Sequence, residues 1–411
     1  MLGLGNSLST AGVIDTFANL KSLTTDGVDD YVALPEVSAL QPTAALSVSF
    51  WAKPNAWDMT NGNNDDYFIG CVRTGGWGIY LRNSGAQATT MNFIVNVDDD
   101  GSGSDGYITA TVNEATVEAL TGWKHIVATY DGTTAKLYIN AGTTGVTNAT
   151  SAVGAAIRYD ASNATPIFLG ADANTDTSGL NFYDGLLDEV AFFNTALSSG
   201  DITNIYNGGA PNDVSGMSGL IAYYRMFDTV SNDPDEVTVG TEKGIMHDAA
   251  NPGLAANIWD STPSTSHLTN YGTNTVAIED GAYKVTYGNN VNGFALKIND
   301  SVTGTTSEDL VIGAWYKAVT EWKLEGGSVI TPRVFAGVNY NQWAPTLVNE
   351  GDGFVGKIIY FKANHATSAQ FSIASNLGSG ETAYLKVTSV QKLNGYPAIA
   401  AAQAASSTDV P

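Results

Sequence analysis

Cysteine, charge and long apolar runs are scarce in this sequence, and each shortage excludes a class of protein. Cys71 is the sole cysteine, which excludes an internal disulfide framework and a cysteine-based zinc cluster. Only 14% of the 411 residues are charged, and 18 Lys and Arg stand against 41 Asp and Glu, a formal net charge of -23. A chain this acidic repels phosphate backbones, so we expect no general binding to nucleic acid.

Apolar stretches long enough for a membrane are missing as well. No run approaches the roughly 18 residues that a spanning helix needs, so the sequence predicts no membrane insertion. The first 17 residues have neither a basic n-region nor an apolar h-region, so we expect no secretory signal and a chain assembled in a cytoplasm.

Hydrophobic residues nevertheless make up 43% of the chain, together with 44 Gly and 19 Tyr, which is typical of many short strands joined by tight turns. Residues 46–50 alternate between apolar and polar side chains, which puts Leu46, Val48 and Phe50 on one face. Asp131-Gly132 separates two strand-like runs and predicts a hairpin. The pattern predicts an all-β protein with two tandem antiparallel β-sandwiches. A single short helix is expected after the first sandwich, with Ser198 as its N-cap, Asp201 completing a capping box and Gly208 at its end.

The order of these runs divides the chain into five segments. Residues 1–21 are an N-terminal arm, 22–209 the first sandwich, 210–255 a connector, 256–395 the second sandwich and 396–411 a C-terminal tail. Residues 1–210 carry 7 Lys and Arg against 22 Asp and Glu, so the first half holds most of the excess negative charge.

One loop resembles a calcium site by its spacing. Asn96, Asp98 and Asp100, followed by Gly101, copy the first half of an EF-hand loop, but Tyr107 stands where the bidentate Glu belongs. A solvated hairpin tip is the favoured alternative.

Glycan binding would use exposed aromatic rings, and four of them fall in predicted loops. These candidates are Trp57, Trp77, Tyr340 and Trp343. For each ring, packing inside a sandwich carries the same weight as contact with a glycan.

The sequence favours a protein without catalysis. Glycoside hydrolysis with retention needs two carboxylates about 5 Å apart. Asp188 and Glu189 are adjacent on a predicted strand, so we expect them on opposite faces. No Gly-x-Ser-x-Gly nucleophile motif is present.

Three stretches resemble the laminin-G-like (concanavalin A-like) jelly rolls. They are LTTDGVDDYV at 23–32, GWKHIVATYDGTTAKLYIN at 122–140 and DGLLDEVAFFNTALSSGDITNIYN at 184–207. Their order and spacing cover roughly residues 22–209. The resemblance implies a jelly roll with calcium at its rim, for which Asp26 and Asp188 are the candidate ligands because both lie in matching stretches.

The second block is similar to carbohydrate-binding-module jelly rolls, mainly in ETAYLKVTSVQKL at 381–393. The whole layout resembles structural proteins of marine tailed bacteriophages. That resemblance implies a virion fibre or capsid decoration protein, a homo-oligomer such as a trimer, held to other virion proteins by its arm or tail. Its sandwiches would face host-surface glycans. The alternatives are a free, extracellular carbohydrate-binding module and a glycosidase with an unrecognised site.

Overall fold

The computed structural model describes residues 17 and 19–411, apart from 60–64, 73–74, 84–88, 99–105, 148–154, 160–165, 176–177, 227–237, 240–241, 247, 252–253, 260–261, 271–272, 289–291, 298–309, 327–330, 337–339, 342–352, 364–368, 375–378 and 402–404. The described chain is almost entirely antiparallel β-structure, so the predicted fold class is confirmed. No helix in this part of the chain is long and apolar enough to cross a membrane.

The first half of the chain supplies most of the first sandwich. Its strands are β1 (Ser22–Asp26), β2 (Tyr31–Ala33), β3 (Leu46–Pro54), β4 (Asp65–Gly70), β5 (Trp77–Asn83), β6 (Thr89–Asp98), β7 (Gly106–Val112), β8 (Lys124–Tyr130), β9 (Ala135–Ile139), β10 (Gly142–Thr147), β11 (Ala156–Ile157), β12 (Phe168–Leu169), β13 (Asp172–Thr175), β14 (Ser178–Leu180), β15 (Asp184–Phe193), β16 (Leu220–Tyr224), β17 (Thr238–Val239) and β18 (Glu242–Met246). The helices are α1 (Glu114–Val117) and α2 (Ser199–Tyr206), with a 3-10 turn at Ser38–Leu40.

The remaining strands form the second sandwich and the tail. They are β19 (Leu268–Asn270), β20 (Thr275–Glu279), β21 (Ala282–Thr286), β22 (Asn292–Lys297), β23 (Trp315–Glu325), β24 (Thr331–Ala336), β25 (Tyr340–Asn341), β26 (Val355–Lys362), β27 (Ala369–Ala374), β28 (Thr382–Lys392), β29 (Ala398–Ala401) and β30 (Ala405–Ser407), with a 3-10 turn at Thr265–His267.

Two sheets make the first sandwich. Sheet I has the strand order β10-β9-β8-β3-β15-β1-β30, with β16 also paired to β15. Sheet II has the order β11-β6-β5-β4-β12-β2-β29-β18-β17, with β7 also paired to β6. Alternate residues of both sheets fill the space between them, for example Val48 and Phe50 from β3 against Ile79 and Phe93 from β5 and β6.

The second sandwich has its own core. Sheet III has the order β19-β22-β27-β24-β25, and sheet IV has the order β20-β21-β28-β23-β26. Trp322, Phe361 and Leu385 of sheet IV pack with Phe371 of sheet III. Since this cluster is separate from that of the first sandwich, each sandwich buries apolar surface of its own.

The predicted hairpin and helix are both present. Strands β8 and β9 pair across Asp131-Gly132, and Gly132 adopts the positive φ of 90° that this turn requires. Helix α2 has the capping box of Ser198 and Asp201. It ends at Tyr206, and the left-handed position that we expected at Gly208 begins one residue earlier, at Asn207.

The connector and the tail take part in the first sandwich. Within residues 210–255, β16 extends sheet I, while β17 and β18 lie at one edge of sheet II. From the tail, β29 inserts between β2 and β18, and β30 pairs with β1. The second sandwich is therefore an insertion between β18 and β29, two strands that pair with each other.

Candidate functional site

The outer face of sheet II carries polar and aromatic side chains in a strict alternation. On β5, Trp77, Ile79 and Leu81 enter the core, so Tyr80 and Arg82 point outward. The same alternation on the neighbouring strands puts Ile94 on this face and gives the set that we call the polar face: Tyr67, Tyr80, Arg82, Thr90, Asn92, Asn96, Tyr107, Thr109 and Thr111. Four of these, Tyr67, Tyr80, Asn92 and Asn96, are buried.

Two tyrosines and an arginine are stacked along this face. The rings of Tyr67 and Tyr80 lie 4.5 Å apart with an interplanar angle of 16°, and the Arg82 guanidinium is 5.2 Å from the Tyr80 centroid. Arg82 binds Asp65 through two hydrogen bonds of 2.8 Å, which raise the pKa of Arg82. Burial raises the pKa of Tyr80 as well, so this phenol stays protonated.

Glycines make room for the stack. A Cβ on Gly70 or on Gly78 would lie 2.6 Å from the ring of Tyr67, well inside van der Waals contact. Tyr67 therefore lies flat against the backbone of β4 and β5, and only residues without a side chain fit beneath it.

An amide and two hydroxyls continue the row across β6 and β7. Asn92 stands opposite Tyr80 and next to Thr111. Its Nδ2 donates to Thr90 Oγ1 at 3.0 Å, and its Oδ1 accepts from Thr111 Oγ1 at 2.9 Å. These bonds fix the amide orientation, so the network presents donors and acceptors in defined positions.

Tyr107 is the exposed aromatic of this face. Ile108 and Ala110 face the core, which turns Tyr107 outward, and 54% of Tyr107 is accessible to solvent. It pairs across the strands with buried Asn96. Tyr107 therefore has the Asn96 amide opposite and the Thr109 hydroxyl two residues along β7, while Arg82, opposite Thr90, lies about 20 Å further along the strands.

The two tryptophans that we expected to be exposed are buried. Trp57 is 5% exposed, donates its Nε1 proton to the Gly122 carbonyl and packs near Phe68. Trp77 begins β5 and points into the core with no exposed surface. Neither ring can stack on a sugar from solvent, and the packing alternative holds for both. In the second sandwich Tyr340 lies in β25, where the backbone alone is described, and Trp343 lies outside the described residues.

The EF-hand-like spacing falls partly on a strand. Asn96 and Asp98 belong to β6, and the backbone of Asn96 is bonded to Gly76 and Arg158. Asp100 lies outside the described residues. The described part is therefore paired sheet, whose geometry differs from that of a calcium-binding loop.

Asp26 belongs to an acidic group at one end of the sandwich. One carboxylate oxygen from each of Asp26, Asp29 and Asp30 lies within 4.8 Å of the others. Asp26 is also paired across the strands with Asp184. Close by, burial together with Asp184 and Asp65 raises the pKa of Asp66 to about 6. We call Asp26, Asp29 and Asp30 the acidic rim.

Asp188 lies away from this rim. Asp188 is four residues from the end of β15 that meets Asp26, which is about 13 Å along a strand. It is fully buried and accepts a hydrogen bond of 2.9 Å from Asn19 Nδ2.

The expectation that strand geometry separates Asp188 from Glu189 is wrong. A register shift interrupts β15 here, and Glu189 adopts a φ of 49°. The Glu189 carboxylate consequently meets the Tyr223 hydroxyl on the outer face of sheet I, the side on which Asp188 also lies, and Arg225 Nε is 3.5 Å away. Both carboxylates are buried and hydrogen-bonded, so a substrate cannot reach either of them.

Tyr107, Tyr80 and Asn92 were not among the residues proposed from the sequence. The alternation of Ile108, Ala110 and Val112 was visible there and implies an outward Tyr107. The sequence did not show which outer residues stay accessible: α2 covers part of sheet I through Ile202 and Ile205, and on sheet II Tyr80 and Asn92 are buried while Tyr107 is exposed.

Comparisons with known proteins agree with the sandwich fold. The profile of the concanavalin A-like lectin/glucanases superfamily matches residues 26–203. No curated protein is significantly similar to the chain.

Several solved structures are similar at low identity. A SAP-like pentraxin from Limulus polyphemus is 12% identical with a TM-score of 0.31, over 46% of this chain and 82% of that one. Domain 4 of an extracellular arabinanase from Geobacillus stearothermophilus, in complex with arabinotriose, is 18% identical with a TM-score of 0.27, over 45% and 76%. The Ruminococcus gnavus IT-sialidase CBM40 bound to alpha2,3 sialyllactose is 10% identical with a TM-score of 0.29, over 44% and 97%.

Proposed function

We propose that the first sandwich, a domain of the concanavalin A-like lectin/glucanase superfamily over residues 26–203, binds carbohydrate on its polar face without catalysis. The observation that carries the proposal is Tyr107, a ring 54% exposed on a sheet face of amide and hydroxyl groups. Sugar rings offer apolar C–H faces edged by hydroxyls, and an aromatic ring beside polar groups complements both.

The arrangement also suits a binding surface because it is held in place. The exposed Arg82 is fixed by two hydrogen bonds to Asp65, and the exposed Thr111 by one to the buried Asn92, so little side-chain entropy is lost when a ligand arrives. The negative charge of the first half argues for uncharged glycans at this face.

A glycan array followed by calorimetry tests the proposal. We expect Tyr107→Ala to weaken binding of the best array ligand at least tenfold, about 1.4 kcal/mol, because the stacking ring is lost. The matched control is Ile312→Ala, which removes an apolar side chain 65% exposed on the second sandwich and should leave affinity unchanged. Full affinity in Tyr107→Ala, or a wild-type protein that binds no array glycan, would overturn the proposal.

We further propose calcium at the acidic rim. One oxygen from each of the three carboxylates lies within 4.8 Å of the others, Asp26 and Asp30 also accept backbone N–H groups, and a divalent cation that prefers oxygen ligands could bind among them. Calcium should raise the unfolding temperature of the wild type, and Asp29→Asn should abolish the rise. Asp213→Asn, at an exposed acid elsewhere, serves as the control. An equal rise in wild type and Asp29→Asn would place any calcium elsewhere.

A more specific proposal is that the protein is a virion fibre or decoration protein of a tailed phage, with its polar face turned toward host-surface glycans. It is supported by the sequence resemblance to phage structural proteins and includes a homo-oligomer docked by its N-terminal arm or its C-terminal tail. Mass spectrometry of purified virions should find tens to hundreds of copies per particle. Absence from particles would leave a free extracellular carbohydrate-binding module as the function.

A further inference from the structure

The outer face of sheet IV concentrates lysines in a molecule with few cations. Core residues such as Trp322 and Leu324 alternate along β23 with side chains that point outward. The outward side chains include Lys317, Glu321, Lys323 and Glu325. Lys284 of β21 and Lys386 of β28 lie on the same face. Four of the 18 cationic side chains of the chain, Lys284, Lys317, Lys323 and Lys386, are thus gathered on one face, which we call the lysine face.

Tyr384 lies at the centre of the lysine face between two ion pairs. Lys284 Nζ is 5.2 Å from the Tyr384 ring centroid and Lys323 Nζ is 4.8 Å from it. Lys284 binds Glu279 at 2.6 Å, and Lys323 binds Glu325 at 2.7 Å. The Tyr384 hydroxyl donates toward both carboxylates, at 3.3 Å to Glu279 and 2.9 Å to Glu325.

These contacts hold two ammonium groups in defined positions. Lys284 also shares a hydrogen bond with the Tyr384 hydroxyl, so both ammonium groups are engaged by their neighbours and contribute positive charge to the face. Surface ion pairs of this kind add little to stability, which leaves positioning as their main effect.

Lys386 is held differently. Its Nζ lies 4.0 Å from the centroid of Phe354, and the Phe354 ring meets Tyr384 edge to face at 6.3 Å. Among the described residues no carboxylate forms an ion pair with Lys386. The ammonium is therefore placed by an aromatic ring with its hydrogen-bonding protons available to a ligand.

We propose that the lysine face binds a glycan that carries carboxylate groups. A carboxylate can bind the Lys386 ammonium on a face that also carries the charges of Lys284 and Lys323, while Phe354 offers an apolar surface to a sugar ring. The protein as a whole has a net charge of -23, so its other surfaces repel such a ligand and restrict it to this face. This site is separate from the polar face of the first sandwich and goes beyond the function proposed there.

The test compares two oligosaccharides of equal length, tetragalacturonate and uncharged galactotetraose, by calorimetry with the full chain. We expect tetragalacturonate to bind, to bind more weakly as salt rises, and to lose about tenfold in affinity in Lys386→Ala. Lys386→Arg should restore most of the loss because it keeps the charge. Lys136→Ala, at a lysine of β9, is the matched control and should bind like the wild type.

Several outcomes would overturn the proposal. One is a wild type that does not bind tetragalacturonate or that binds galactotetraose equally well. Another is unchanged affinity in a Lys386→Ala protein whose unfolding midpoint matches the wild type. A third is a salt-sensitive dimer that Lys386→Ala dissociates, which would assign the lysine face to the acidic first sandwich of a second copy. Tyr107→Ala separates the two sites, since it should leave tetragalacturonate binding intact.

Discussion

The buried position of His125 makes the free energy of unfolding depend on pH. The ring is fully buried, lies 5.2 Å from the Trp51 ring, and shares a 2.8 Å hydrogen bond between its Nε2 and Ser49 Oγ. Burial lowers the pKa of His125 to about 3, so the folded state holds this imidazole neutral while the unfolded chain accepts a proton below about 6.5.

The expected result is a loss of stability in mild acid. Because the unfolded state binds the extra proton, His125 should lower the free energy of unfolding by about 1.4 kcal/mol per pH unit as pH falls from 6.5 toward 3. Urea unfolding of wild type and His125→Gln between pH 7.5 and about 5 measures this term as a difference in slope. Parallel pH profiles would contradict it.

Gly78 allows a second test at a single residue. Gly78→Ala puts a methyl group 2.6 Å from the Tyr67 ring, so the tyrosine stack must shift, at a cost of about 1–3 kcal/mol in unfolding free energy. Gly216→Ala is the matched control, since a Cβ there meets nothing within 4 Å. Equal urea midpoints for the two variants would show that Tyr67 moves aside freely.

Residue placement was predictable wherever strand alternation alone decided it. The alternation of β3 and the Asp-Gly turn gave the correct faces because both depend on near neighbours. Trp57 and Trp77 were misplaced because their burial depends on contacts with distant residues, as in the bond from Trp57 to Gly122. Glu189 was misplaced because a bulge leaves no mark in the pattern of residue types.

At the scale of elements, one buried carboxylate joins the tail to the first sandwich. Asp248 accepts hydrogen bonds from the backbone N–H groups of Tyr223 at 3.0 Å and Tyr396 at 3.2 Å, and from Asn251 Nδ2 at 3.0 Å. Tyr224 adds a hydrogen bond from its hydroxyl to the Tyr396 carbonyl at 2.7 Å. These bonds hold the segment that leads into β29 against β16.

Asp248→Ala should loosen the tail more than it loosens the sandwich. Its loss leaves buried N–H groups unpaired, at about 1–3 kcal/mol each, and the unpaired groups border β29. Hydrogen exchange should accelerate in β29 and β30 while β8 stays protected. Asp213→Ala, which removes an exposed acid bonded to Ser215, is the control and should leave both regions unchanged. Uniform acceleration across all strands would show that the tail does not open separately.

The sequence predicted the strands and helices themselves better than it predicted which strands pair with each other. Periodicity identified β28 and the helix α2, since both carry their own local signal. The pairing of β29 and β30 with strands near residue 30 could not be derived, because Ala- and Ser-rich segments do not specify a partner.

For the whole molecule, the insertion of the second sandwich predicts that it can be removed. Replacing residues 252–394 by a short Gly-Asn linker should join the connector to the tail, because Gly395 lies beside Asn251, and it keeps the bonds of Asp248 to Tyr223, Asn251 and Tyr396. We expect the first sandwich to keep its unfolding temperature, measured by circular dichroism, because its core lies apart from the second. The control, a chain ending at residue 246, also lacks β29 and β30 and should melt lower. Identical melting of both shortened chains would show that the tail contributes nothing to stability.

The position of the two chain ends has a mechanical consequence. Ser22 stands opposite Ser407 in the β1–β30 pair, and the Ser22 hydroxyl donates to the Asp409 carbonyl at 2.6 Å. A pulling force applied between the ends would therefore open this pair like a zipper, one hydrogen bond at a time, instead of shearing it. Lys53 and Trp123, which both bind the Asp409 carboxylate, would carry the first load. The second sandwich would feel tension only after β30 and β29 had peeled away.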